Sequence, residues 1–100
     1  QEERHMKETY HVLVVEDDAQ IRDGIEIYLK SQGYEVSKAA DGLEGLEILK
    51  EKEVHLAIID VMMPRMDGIE VLVKIREEVP DQTVVMISGH GTVDTAVECL

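Results

Sequence analysis

The sequence predicts an α/β domain: a doubly wound parallel sheet with helices on both faces. Three observations lead there. Short β-branched runs alternate with stretches of helical periodicity along the chain, the pattern of strands joined through crossover helices. The connections between them are only a few residues long, so successive strands point the same way and the crossovers are right-handed. The first and third apolar runs also end directly on acids: His11-Val12-Leu13-Val14-Val15 on Glu16-Asp17-Asp18, and Val54-His55-Leu56-Ala57-Ile58-Ile59 on Asp60.

The elements follow in order. Residues 11–15 form the first strand. Asp18 caps a helix beginning near Ala19, whose apolar face carries Ile21, Ile25, Tyr28 and Leu29. Ser31-Gln32-Gly33 closes it, with Gly33 free to take the left-handed conformation of a helix terminus. Residues 34–39 form the second strand. Asp41 caps a second helix carrying Leu43, Leu46, Ile48 and Leu49. Residues 54–60 are the third strand.

Met63-Pro64-Arg65-Met66-Asp67-Gly68 is a loop, because Pro64 bars helical angles at Met63 and Gly68 permits a tight turn. The third helix shows Ile69, Leu72, Val73 and Ile75 or Arg76, and ends by Pro80. Residues 83–87 form the fourth strand. Ser88-Gly89-His90-Gly91 leads to a fourth helix capped by Thr92. A flavodoxin-like strand order, 2-1-3-4, is borrowed from that fold rather than read from these residues. It sets the first and third strands side by side, with a ligand crevice at their carboxyl ends.

In that crevice Glu16, Asp17 and Asp60 would converge. Gathered carboxylates repel one another unless a cation lies among them, and an all-oxygen ligand set suits Mg²⁺ or Ca²⁺. Ser88, following the fourth strand, would direct its hydroxyl to the same crevice. Asp18 and Asp41 read as caps and Asp67 as a loop residue. His11 and His55 lie within strands and read as structural.

Composition narrows the function. One hundred residues suit one small domain. A formal charge of -12 argues against direct nucleic-acid binding and against an anionic membrane as partner. Cys99 stands alone, so no disulfide can form within the chain, which suits a reducing cytoplasm. No apolar stretch reaches the length of a membrane span. Residues 1–6, with His5-Met6, look like a tag or vector remnant, leaving 7–100 as the domain.

The strings V-V-E-D-D at 14–18, I-I-D-V-M-M-P-R-M-D-G at 58–68 and M-I-S-G-H-G-T at 86–92 resemble the receiver domain of bacterial response regulators, over residues 12–100. The resemblance implies a phosphoacceptor switch of two-component signalling. Asp60 would receive a phosphoryl group from the phosphohistidine of a sensor histidine kinase in a Mg²⁺-dependent reaction. Glu16, Asp17, Asp60 and the main-chain carbonyl of Met62 would hold the ion. Ser88 would be the switch hydroxyl, and conformation would change near it and the fourth helix. Such a domain is not an enzyme in the usual sense, although it assists its own phosphorylation and dephosphorylation.

The family continues into a fifth strand and helix, and the resemblance ends inside the fourth helix. A lysine and an aromatic residue that the family carries on its fifth strand therefore have no counterpart in these residues. An incomplete sheet edge is expected to self-associate. Two other readings stand beside the switch. One is a receiver-like module that dimerises without phosphorylation. The other is an Asp-nucleophile phosphatase, disfavoured because the second acid such enzymes carry two residues on is Met62 here.

Overall fold

The computed structural model describes residues 9–61 and 68–87. Its elements are β1 (His11–Val15), α1 (Ala19–Ser31), β2 (Glu35–Ala39), α2 (Gly42–Glu51), β3 (Leu56–Asp60), α3 (Gly68–Glu78) and β4 (Val84–Ile87). All strand pairs are parallel, and the order is β2-β1-β3-β4. The doubly wound sheet expected from the sequence is therefore present, with β1 and β3 adjacent. The loop at 63–67 and the fourth helix lie outside the described residues.

Period-two alternation sorts the strands into two faces. Leu13, Ala57 and Val84 align across the sheet, as do Val15, Ile59 and Met86. These side chains are buried and pack with Leu46 and Leu49 of α2 and Val71 and Ile75 of α3. The opposite face carries Val12 and Val14, both buried, with α1 lying over β1 and β2. On the same face Leu56, Ile58, Val85 and Ile87 are only half-buried.

The helix starts follow from their caps. The Asp18 side chain accepts from the Gln20 and Ile21 amides at 2.9 and 3.1 Å, and Asp41 accepts from the Glu44 amide at 2.9 Å. Gly33 takes φ 95° after α1, as expected of a residue without a Cβ. Arg76 donates to the carbonyls of Gln82 (2.6 Å) and Pro80 (3.2 Å), which ties the end of α3 to the approach of β4.

Three helix faces differ from expectation. In α1, Tyr28 is exposed rather than buried, while Ile21, Ile25 and Leu29 are half-buried. In α2, Leu43 points to solvent and the glycines Gly42 and Gly45 sit inside with Leu46 and Leu49. In α3, Ile69 and Val73 are exposed, and Val71 and Ile75 face the core. The cause is the apolar content of residues 69–75, which supports more than one helical phase; packing selects the one that Val71 and Ile75 share.

Strand starts differ too. β3 begins at Leu56 rather than Val54, and β2 at Glu35 rather than Tyr34. Beside the start of β3, the His11 amide donates to His55 Nδ1 at 2.9 Å, while the His55 amide donates to the His11 carbonyl at 2.8 Å. An imidazole thus serves where a ladder carbonyl would otherwise accept. His11 Nε2 lies 2.7 Å from Ser37 Oγ, and the His55 ring meets Tyr10 edge-on at 5.0 Å. Both histidines are structural, as expected.

Candidate functional site

The site lies where β1 and β3 end side by side. Register sets the geometry: Val15 pairs with Ile59, so Glu16 and Asp60 leave their strands at the same level. Glu16 is 1% and Asp60 2% exposed, whereas Asp17 is open to solvent. Glu16, Asp17 and Asp60 each offer a carboxylate oxygen, and these atoms all lie within 4.8 Å of one another. The convergence expected from the sequence is what the fold produces.

Glu16 is held on every side but one. Its amide donates to the Ala39 carbonyl at 3.0 Å. Its carbonyl accepts from Arg22 Nη1 at 2.8 Å. Its Oε2 accepts from the Asp18 amide at 3.1 Å. Its Oε1 is buried and has no hydrogen-bond partner among the described residues. Burial raises the Glu16 carboxyl from the usual 4.5 to about 7; the Asp18 amide opposes that rise, while hydrogen bonding to Asp60 and the Asp60 charge add to it. A buried carboxylate oxygen without a partner is costly.

The donor set and the unmatched oxygen together fit a hard divalent cation. Mg²⁺ suits them because it keeps several waters and needs few protein ligands. Glu16, Asp17 and Asp60 are the described residues that could hold it. Met62 and Ser88, named from the sequence, lie outside the described residues.

Gly68 closes the site from behind. A Cβ there would stand 2.5 Å from the Asp60 carbonyl oxygen and 2.7 Å from Val61 Cα. The Gly68 amide donates to the Val61 carbonyl at 2.9 Å, so the start of α3 rests directly on the chain leaving Asp60. Arg22 is the residue that sequence reasoning missed. Its position one turn into α1 was visible, but its reach back to Glu16 depends on how the turn folds.

A doubly wound parallel sheet with an acidic pocket at its switch point is the class this geometry defines. The family model of the response regulator receiver domain matches residues 12–100, and the chain belongs to that family. It is 40% identical over 91 residues to an NtrX-like response regulator of Rickettsia bellii, covering 89% of this chain and 19% of that protein. The chain thus spans about a fifth of that relative's length.

Among solved structures it is similar to the response regulator TrrA of Thermotoga maritima in complex with Mg²⁺-BeF. That match has 29% identity and a TM-score of 0.75, and covers 90% of this chain and 80% of that one. A structure of TrrA with the histidine kinase ThkA matches at 30% identity and a TM-score of 0.78, covering 84% of this chain and 72% of that one. The chain is a receiver domain of two-component systems, a signalling domain rather than an ordinary enzyme. Among the described residues no helix is long and apolar enough to cross a membrane.

Proposed function

We propose that Asp60 is the phosphoacceptor of this receiver and that Glu16, Asp17 and Asp60, with the Met62 main-chain carbonyl, hold Mg²⁺ beside it. The observation that carries this reading is the meeting of three carboxylates from two strand ends, with one buried Glu16 oxygen left unmatched among the described residues. Bound Mg²⁺ would supply charge neutralisation between the carboxylate and the incoming phosphoryl oxygens.

The rest of the chemistry belongs to the chain. An Asp60 carboxylate oxygen attacks the phosphorus of a kinase phosphohistidine. The new O–P bond forms as the P–N bond breaks, and the departing imidazole nitrogen keeps the electron pair. Burial of Asp60 limits the water that competes for the phosphoryl group. Ser88 then serves as the switch hydroxyl, donating to a phosphoryl oxygen and drawing the segment after β4 toward the site. The partner is a sensor histidine kinase, and TrrA caught with ThkA supports a protein of that kind.

Incubation with acetyl phosphate and Mg²⁺, followed by intact-mass measurement, tests the reading. One phosphoryl adduct should form and should be absent from Asp60→Ala. An adduct that persists in Asp60→Ala overturns the assignment. A second reading, self-association without phosphorylation, draws on the half-buried Leu56, Ile58, Val85 and Ile87 on the α1 side of the sheet. Light scattering of the unphosphorylated protein distinguishes it: a dimer that Asp60→Ala leaves unchanged supports this second reading, and a monomer removes it.

A further inference from the structure

Asp60 is supported by the sheet, since Ala57 to Asp60 register with Val84 to Ile87 of β4. Glu16 and Asp17 lie beyond the last β1 residue, in the turn before α1, and need another support. Glu16 receives it at three points: the Ala39 carbonyl for its amide, the Asp18 amide for Oε2, and Arg22 for its carbonyl. Of these, only Arg22 acts through a side chain from outside the turn. Its guanidinium reaches back from the first turn of α1 and meets the Glu16 carbonyl at 2.8 Å.

That carbonyl belongs to the peptide joining Glu16 to Asp17. Rotating the peptide would swing both carboxylates relative to Asp60. A guanidinium donor makes a charge-assisted bond, stronger than a neutral one.

We infer that Arg22 is a positioning residue of the acid site: by holding the Glu16–Asp17 peptide it fixes the separation of the two carboxylates that β1 delivers. This rests on the reading of Glu16, Asp17 and Asp60 as a Mg²⁺ site. It assigns Arg22 no contact with the phosphoryl group.

The test uses the wild-type chain, Arg22→Met and Arg22→Lys. Mg²⁺ affinity is measured by calorimetric titration, and amide hydrogen exchange is read at Asp18, whose N–H is bonded to Glu16, and at Leu13 in the core. Arg22→Met is expected to weaken Mg²⁺ binding about tenfold and to speed Asp18 exchange, with Leu13 exchange unchanged. Arg22→Lys retains the charge without the planar fork and is expected to fall between the two.

Unchanged Mg²⁺ affinity together with unchanged Asp18 exchange overturns the inference. So does faster exchange at Asp18 and Leu13 alike, which marks a general loss of stability. If Arg22→Met fails to fold, Arg22→Lys carries the same comparison. If the wild-type chain binds no Mg²⁺, the metal reading fails, and Asp18 exchange still decides whether Arg22 holds the turn.

Discussion

At the scale of single residues, Glu16 concentrates the consequences of the site. Its carboxyl titrates near 4.5 when the chain is unfolded and near 7 when folded. The metal-free folded state therefore holds the proton more tightly. Its contribution to stability is fully present below pH 4.5 and is lost as pH rises through about 7. Denaturant titrations in EDTA should show stability falling across that window, and Glu16→Gln should flatten the fall. Mg²⁺ must displace the same proton, so its affinity should climb over the same range and level off above it.

Asp60→Asn removes the charge that faces Glu16 and should stabilise the metal-free protein at pH 8 by about 1 kcal/mol. A destabilised Asp60→Asn under those conditions would mean that the acids do not repel as described. The acids themselves were legible from the sequence because each ends a β-branched run. The role of Arg22 was not, since it depends on a turn that brings a helical side chain back onto a strand end.

At the scale of elements, caps and close approaches carry the predictions. Asp18→Ala leaves the Gln20 and Ile21 amides without their acceptor, and should cost about 1 kcal/mol in chemical denaturation. Gly68→Ala sets a methyl group against the backbone of Asp60 and Val61, which cannot move aside as a flexible side chain would. A cost of roughly 1–3 kcal/mol and a weakened Mg²⁺ site are expected. Wild-type stability in Gly68→Ala would show that the chain has room to spare there.

Both caps and the helix-ending Gly33 were legible, because Asp and Gly act locally. The faces of α2 and α3 were not. Ile69, Val71, Leu72, Val73 and Ile75 support several helical phases, and only the contact of Val71 and Ile75 with the sheet distinguishes them. The early end of the β1–β3 ladder was hidden too, since no propensity foretells an imidazole accepting a main-chain bond.

At the scale of the whole molecule, the described residues seal one face of the sheet and leave the other half-covered. The α2–α3 side holds the main core, while on the α1 side Leu56, Ile58, Val85 and Ile87 keep partial exposure. Alternation of strands and helices made the parallel architecture legible, because right-handed crossovers leave few other arrangements. Strand order came from likeness to a known fold, and β1 does lie between β2 and β3.

The two faces give the molecule a division of labour. The carboxyl end of β3 carries Asp60, and a single turn after β1 supplies the other acids. Ligand binding at that junction should stabilise the whole domain. Mg²⁺ at one hundred times its dissociation constant should add about 2.7 kcal/mol, seen as a raised melting temperature.

The most direct measurement is a calorimetric titration of Mg²⁺ into the wild-type chain at pH 8, with Asp17→Asn and Asp60→Asn beside it. One ion per wild-type chain and greatly weakened binding in both variants are expected. Wild-type affinity retained in both would contradict this site, because the cation would then lie elsewhere than among Glu16, Asp17 and Asp60.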